Sequence, residues 1–238
     1  MRQPLLTTES ISLVYDDGDR KTNALADVSI EIPDHAFVGI MGPSGSGKSS
    51  LLYIMSGLKR PTSGDVVLGG YRYSEHPERD QIDLRRERFG FVFQQPYLIG
   101  WQTALENVLM GAPTVDEHAR DKAASLFVKL GVSRQQNKLP SQLSGGEKQR
   151  VCVARAMMND PSVIFADEPT ASLDHTNGHL VVDLLAAYRE HGTVVVVTHD
   201  PEMLRDADSV LMMRDGRANG WVAAAELDNV VHPSARQV

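Results

Sequence analysis

Short apolar runs alternate with amphipathic segments along this chain, and most of the runs are rich in β-branched residues. The runs predict strands, and the segments whose apolar residues recur every three or four positions predict helices. The predicted strands cover 10–15, 26–32, 37–41, 66–68, 89–93, 162–166, 193–197 and 209–213. The first predicted helix lies between Gly47 and Gly57, and the others cover 80–87, 104–110, 116–130, 146–158 and 176–189.

The order of these elements predicts an α/β fold. The first two strands, joined by a turn at 16–19, favour an antiparallel β subdomain at the start of the chain. A mainly helical insert at about 103–140, whose first helix Thr103 is expected to cap, separates two pieces of the α/β core. We therefore predict a single domain over 1–238 with a helical subdomain inserted in its core.

Composition and charge limit the partners that the chain is expected to have. The 238 residues carry a net charge of -7, which gives no general attraction to polyanions and disfavours nucleic acid as a partner. The single cysteine, Cys152, excludes a disulfide within the chain and is expected to be a buried thiol. No apolar stretch approaches the roughly 20 residues that a membrane-spanning helix needs, so we expect no direct membrane insertion.

A phosphate-binding loop follows the predicted strand at 37–41 and opens the next helix. Its glycines allow backbone N–H groups to approach phosphate oxygens, and the helix dipole favours the same negative charge. Lys48 is expected to reach the β- and γ-phosphates, and the Ser49 hydroxyl is a candidate Mg²⁺ ligand. The pattern GxxxxGK[ST] in this context predicts a P-loop NTPase core. The nucleotide-binding residues are predicted to be Gly42, Pro43, Ser44, Gly45, Ser46, Gly47, Lys48, Ser49 and Ser50.

Two adjacent carboxylates, Asp167 and Glu168, end the apolar run at 162–166. Because adjacent residues of a strand point to opposite faces, we expect the two carboxylates to have different roles. In phosphoryl transfer one acid holds Mg²⁺ and another orients the attacking water. We assign Asp167 to the metal and Glu168 to the water as the general base.

These residues and the motifs around them resemble the nucleotide-binding subunit of an ABC transporter, over nearly the whole chain. The phosphate loop matches the Walker A motif, and Asp167 with Glu168 matches Walker B and its catalytic glutamate. The remaining motifs stand in the order of the family, namely Gln94 of the Q-loop, 143–147 of the signature motif, 172–174 of the D-loop and His199 of the switch.

The resemblance implies an ATPase whose cofactors are ATP and Mg²⁺ and whose site is shared between two subunits. The signature residues Ser144, Gly145 and Gly146 open a helix, and its N–H groups and dipole suit a γ-phosphate. The family places this cap on a second ATPase subunit, in a head-to-tail dimer that is expected to pair identical chains, with Asp174 at the interface.

The resemblance also implies roles for three further side chains. Gln94 would contribute to Mg²⁺ binding and sense the γ-phosphate, while His199 would contact the γ-phosphate or the attacking water. Together with Lys48 and Glu168, His199 is a predicted catalytic residue. Tyr15 falls where the family stacks an aromatic ring on adenine, and the other explanation for a tyrosine on a strand is ordinary packing.

Glu147 stands where many family members have glutamine. The LSGGE form, with the runs at 89–94 and 103–108, resembles a subgroup of macrolide exporters, lipoprotein-releasing complexes and cell-division ATPases. That subgroup implies ATP-driven dimer closure that powers export or mechanical work across a membrane. It also implies integral membrane permease partners, which would hold the chain at the cytoplasmic face of the membrane.

An apolar loop at 96–101 is a candidate docking surface for such a permease. The other interpretation is that Leu98 and Trp101 pack beneath the helical insert. Two alternative functions also remain at this point: a soluble ABC ATPase of iron-sulfur cluster assembly and a cell-division ABC ATPase. The sequence does not identify the substrate or the direction of transport.

Overall fold

The computed structural model describes residues 4–16, 18 and 21–227. It divides the chain into two compact units: a first unit of residues 1–83 and 195–238, and a second unit of residues 84–194. The single domain over 1–238 therefore stays a prediction. No helix in the described ranges is both long and apolar enough to cross a membrane.

The helices and strands of the two units are numbered here in chain order. The first unit contains β1 (Pro4–Asp16), β2 (Lys21–Pro33), β3 (Phe37–Met41), α1 (Lys48–Met55), β4 (Ser63–Leu68), β5 (Tyr71–Arg72), β9 (Ser209–Arg214) and β10 (Arg217–Val222). The second unit contains β6 (Phe89–Val92), α3 (Ala104–Leu109), α4 (Glu117–Lys129), α5 (Gly145–Ala156), β7 (Val163–Asp167) and α6 (His175–Ala187). Helix α2 (Glu78–Arg88) and strand β8 (Thr193–Val197) run from one unit into the other.

An antiparallel sheet in the order β2-β1-β4-β5 begins the first unit, as predicted. Strand β1 extends beyond the predicted 10–15. Its register with β2 shifts between Thr8 and Ile11, where Ser10 has a φ of 49°. Such a bulge interrupts the alternation of apolar and polar residues, so the pattern reveals only part of the strand. Asp17 and Asp19 of the predicted turn lie outside the described residues.

A second sheet of the first unit contains β3, which pairs in parallel with β9. All residues of β3 are buried, as expected for a parallel strand that is covered on both faces. The Phe37 N–H donates to a carboxylate oxygen of Asp208 at 2.8 Å, which fixes the start of this strand. Strand β3 leads directly into the phosphate loop, and the sheet therefore sets the position of that loop.

Strand β10 was not predicted from the sequence, although the turn that precedes it was. Asp215 and Gly216 adopt φ values of 50° and 74°, which suit a tight hairpin between β9 and β10. Most of β10 is exposed or half-buried, so it has no apolar face that a pattern could reveal.

Strands β6 and β7 of the second unit pair in parallel, with Phe89 opposite Val163. Phe89 packs edge to face on Phe165 at a ring separation of 5.1 Å. Every residue of β7 is buried, so the strand carries Asp167 into the edge of a packed core.

Side-chain caps fix the helices of the second unit. Thr103 caps α3 in a capping box with Glu106, which confirms the predicted start of that helix. Asp116 caps α4 by accepting a hydrogen bond from the Ala119 N–H at 2.8 Å. Helix α4 then buries the predicted apolar face, and Gly131 ends it with a φ of 64°.

Candidate nucleotide site

The phosphate loop of the first unit is shaped around its glycines. Gly47 caps α1 with a φ of 95°, a conformation that other residues rarely adopt. A Cβ at Gly47 would lie 2.5 Å from the carbonyl oxygen of Ala24, and a Cβ at Gly42 would collide with the carbonyl oxygen of Met213. The loop therefore lies directly against β2 and the end of β9.

Lys48 is buried, and its ammonium group donates to the carbonyl oxygens of Gly42 at 2.8 Å and Pro43 at 3.0 Å. The positive charge is thus held inside the curve of the loop. Ser46 is also buried, and its hydroxyl has no hydrogen-bond partner among the described residues. A buried hydroxyl and a buried ammonium group in a glycine loop fit a phosphate group.

His199 belongs to the same unit as the phosphate loop. It follows β8 and is exposed, whereas the preceding Thr198 is fully buried. The Thr198 N–H donates to the carbonyl of Ile40 at 3.2 Å, only two residues before Gly42. This bond places His199 at the same end of the sheet as the phosphate loop.

Tyr15 lies near the end of β1 and is 37% exposed. The ammonium nitrogen of Lys59 lies 4.1 Å from the centre of its ring. At this distance the cation interacts with one face of the ring. This contact does not test adenine stacking against simple packing, so the assignment of Tyr15 to adenine stays a prediction.

Asp167 and Glu168 differ in their environment, but not for the reason that strand alternation gave. Strand β7 ends at Asp167, and Glu168 lies beyond it with a φ of 47° in the left-handed region. The expectation of opposite strand faces was therefore wrong for this pair. Asp167 is buried at 6% exposure while Glu168 is half-buried, and the turn of the backbone sets the two carboxylates apart.

Helix α5 holds the loop that contains Gln94. Gln94 is exposed, and the carbonyl oxygen of the preceding Phe93 accepts a hydrogen bond from the Gln149 side chain at 2.9 Å. The Cys152 thiol donates to the Pro96 carbonyl at 2.6 Å, and Arg155 donates to the Tyr97 carbonyl at 3.0 Å. One face of the signature helix therefore fixes the Q-loop segment.

The side chains of the apolar loop at 96–101 differ in their exposure. Trp101 is 83% exposed and Tyr97 is 64% exposed, so the interpretation that packs Trp101 beneath the insert was wrong. Leu98 and Ile99 are half-buried instead. The fully buried Asn107 fixes the loop by accepting from the Ile99 N–H at 2.7 Å.

Ser144 begins α5 and forms a capping box with Glu147. The Ser144 hydroxyl accepts from the Glu147 N–H at 3.2 Å, and the Glu147 carboxylate accepts from the Ser144 N–H at 2.7 Å. Gln135 donates to the same carboxylate at 2.6 Å. The hydrogen bond from the Ser144 backbone, opposed by partial burial, lowers the pKa of Glu147, so this residue is ionised at neutral pH.

The signature motif lies against the D-loop of the same chain. A Cβ at Gly146 would approach the Leu173 side chain to 3.0 Å, so a larger residue would push the two segments apart. Asp174 caps α6 by accepting from the Asn177 N–H at 2.9 Å, and this bond is the largest cause that lowers the pKa of Asp174. The signature motif and the D-loop, both predicted to lie at the dimer interface, therefore each lead into a helix whose start is capped.

The structure distributes the predicted site residues over both units. Tyr15, the phosphate loop and His199 belong to the first unit, and the other predicted residues belong to the second. Sequence reasoning missed Lys59, Gln149 and Arg150. Gln149 and Arg150 lie two and three residues after the signature motif at 143–147, and this nearness was the available signal, whereas nothing in the sequence pairs Lys59 with Tyr15.

Comparison with known proteins gives a family match. A family model described as ABC transporter matches residues 25–171. The uncharacterized ABC transporter ATP-binding protein MJ1508 of Methanocaldococcus jannaschii is 41% identical over 216 residues, which cover 89% of this chain and 96% of that protein.

A second relative is longer than this chain. The macrolide export ATP-binding/permease protein MacB of Bradyrhizobium diazoefficiens is 41% identical over 220 residues, which cover 91% of this chain and 34% of MacB. Among solved structures, the dimeric ATP-binding cassette MJ0796 in a post-hydrolysis state with ADP and Pi has a TM-score of 0.87 and 36% identity. That match covers 92% of this chain and 98% of the solved chain.

Proposed function

Because this chain belongs to the ABC transporter family, we propose that it is the ATP-hydrolysing subunit of a membrane complex and that ATP closes a dimer of two such subunits. The observation that carries the proposal is the family match over 25–171, which contains the phosphate loop, the signature motif and both carboxylates. The loop geometry around Gly47 and Lys48 supports it independently.

The phosphate loop binds the triphosphate of ATP in this proposal. Phosphate oxygens replace the carbonyl oxygens of Gly42 and Pro43 as acceptors for the Lys48 ammonium group. The Ser46 hydroxyl then gains a hydrogen bond that it lacks within the described residues. Backbone N–H groups at the start of α1 complete the anion site.

The residues assigned to Mg²⁺ offer oxygen atoms of the kind that this ion prefers. Ser49 supplies a hydroxyl, Asp167 a buried carboxylate and Gln94 an exposed amide oxygen. When bound, Mg²⁺ would neutralise part of the charge on the β- and γ-phosphates. A carboxylate is a stronger Mg²⁺ ligand than a hydroxyl or an amide oxygen, so Asp167 is the main protein ligand in this proposal.

Glu168 accepts the proton of the attacking water in the hydrolysis step. The oxygen of that water forms a bond to the γ-phosphorus, and the bond from phosphorus to the β–γ bridging oxygen breaks, giving ADP and phosphate. His199 donates a hydrogen bond to the γ-phosphate, and Lys48 stabilises the charge on its oxygens. The half-buried position of Glu168 keeps its carboxylate accessible to water.

The signature helix binds the γ-phosphate of ATP held by a second copy of the chain. The capping box leaves the Gly145 and Gly146 N–H groups at the start of α5, where the helix dipole favours an anion. The solved relative MJ0796 is dimeric and bound to ADP and Pi, which supports a dimer for this chain as well.

A permease is the partner that we propose for the exposed loop side chains. MacB is named as an ATP-binding and permease protein, so a relative of this chain is joined to its permease. The exposed rings of Tyr97 and Trp101 provide an apolar contact surface. Helix α5 holds this loop through Arg155, which connects permease docking to the signature motif.

Mg²⁺-dependent ATP hydrolysis by the purified chain tests the catalytic proposal. Lys48→Ala is expected to lower the rate about a hundredfold, because it removes a charge that stabilises the transition state. The exposed Lys129→Ala is the matched control and is expected to keep the parent rate. Equal rates for the parent chain and Lys48→Ala would contradict the assignment.

A further inference from the structure

Arg150 carries a buried charge in the second turn of α5. The residue is 7% exposed, and its Nε and Nη1 atoms have no hydrogen-bond partner within the described residues. Arginine is almost never fully buried unless it is paired, because desolvation of the charge is costly. The position of this guanidinium group therefore needs an explanation.

The guanidinium group lies beside the first turn of the helix. Side chains of an α-helix lean toward its N-terminus, so Arg150 extends back over Gly146, four residues earlier. A Cβ at Gly146 would lie 3.6 Å from the Arg150 Nη1 atom. The positive charge thus stands next to the N–H groups that form the anion site of the signature motif.

Glu147 places a negative charge in the same turn. Its carboxylate is held by the Ser144 N–H and by the Gln135 side chain, and it is ionised at neutral pH. Such a charge stabilises the helix start but repels a second anion that approaches the same turn. Glutamine at this position would keep the hydrogen bond from the Ser144 N–H through its one amide oxygen, without that repulsion.

Two carboxylates, whose charge is opposite to that of the guanidinium group, act on Arg150. Burial lowers the pKa of Arg150, and the nearby carboxylates of Glu147 and Asp174 oppose that effect. No ion pair within 4 Å joins Arg150 to either carboxylate in the described part of the chain. The interaction is therefore one between charges, without the fixed geometry of a hydrogen-bonded pair.

We propose that Arg150 is a positioning residue that offsets the charge of Glu147, so that the first turn of α5 remains able to receive the terminal phosphate of ATP on a second copy of the chain. This inference rests on the proposed dimer function. It assigns a role to Arg150 through Glu147 and does not require that Arg150 contact the nucleotide.

ATP-dependent dimer formation in a Glu168→Gln background provides the test. Sedimentation with Mg²⁺ and ATP gives the dimer dissociation constant for the parent, Arg150→Met, Glu147→Gln and the double variant. Arg150→Met is expected to weaken the dimer about fivefold, because Glu147 loses one nearby positive charge, although that of Lys138 remains. When Glu147→Gln is also present, Arg150→Met is expected to raise the dimer dissociation constant less than about twofold.

Two results separate this inference from a purely structural role. Arg150→Lys keeps the charge and is expected to retain most of the dimer affinity, and it also serves if Arg150→Met fails to fold. Equal losses from Arg150→Met in the Glu147 and Gln backgrounds would overturn the inference alone. A parent chain that forms no dimer with ATP would contradict the proposed dimer mechanism, and this inference with it.

Discussion

The Lys59 ammonium nitrogen lies 4.1 Å from the centre of the Tyr15 ring, on one of its two faces. Tyr15 is partly exposed, and the Lys59 cation covers only one face of the ring. An adenine that stacks on Tyr15 would therefore use the face opposite Lys59. The pair places the aromatic group and a cation within the same unit as the phosphate loop.

Removal of the Tyr15 ring is expected to weaken ATP binding without changing the chemical step. A stacked aromatic contact contributes about 1 kcal/mol, so Tyr15→Leu is expected to raise the KM for ATP about fivefold at unchanged kcat. Tyr15→Phe keeps the ring and is the matched control. An unchanged KM in Tyr15→Leu would exclude the stacking role.

Glu168→Gln is expected to separate ATP binding from hydrolysis. The amide has nearly the shape of the carboxylate but cannot accept the proton of the attacking water, so kcat should fall about a hundredfold or more. The variant should bind ATP and accumulate as a closed dimer in sedimentation experiments. Glu190→Gln, at an exposed position, is the control. Wild-type turnover by Glu168→Gln would remove Glu168 from the role of general base.

The sequence predicted those elements that depend on an unbroken run of neighbouring residues. The strand at 37–41 and the Thr103 cap depend on neighbouring residues, and both were found as expected. The start of β1 was missed because the bulge near Ser10 shifts the alternation. Strand β10 was missed because it is mostly exposed and pairs through its backbone.

Motif spacing predicted the candidate site residues but not their contacts. The left-handed φ of Glu168 depends on the turn after β7, and the apolar run before it carries no sign of that turn. The contact between Lys59 and Tyr15 joins two distant parts of the first unit, and periodicity holds no information about such pairs. Arg150 was visible in the sequence, but its burial depends on the packing of α5.

The buried thiol of Cys152 gives a pH dependence with a definite sign. Burial raises the pKa of Cys152 from 9.0 to about 11, although the charge of Arg155 opposes the shift. Because the folded pKa is raised, the contribution of the thiol to stability is present below pH 9.0 and is lost as the pH rises through about 11.

Replacement of Cys152 is expected to remove this dependence. The free energy of unfolding of Cys152→Ala relative to the parent should be constant below pH 9 and then change in favour of the variant, by on the order of 2 kcal/mol up to pH 11. Urea titrations at several pH values measure the difference, in which the other titrating groups cancel. A difference that does not vary with pH would contradict the raised pKa.

Trp101→Ala is expected to release the membrane partner while ATP binding persists. The ring is 83% exposed on a loop that helix α5 fixes, so its loss removes contact surface without opening the core. Aromatic residues at the centre of an interface often contribute 2 kcal/mol or more, so recovery of a co-expressed permease from detergent extracts should fall at least about tenfold. Trp221→Ala removes the other tryptophan, which is 40% exposed, and should leave recovery unchanged. Equal recovery with Trp101→Ala and the parent chain would show that permease binding does not depend on this side chain.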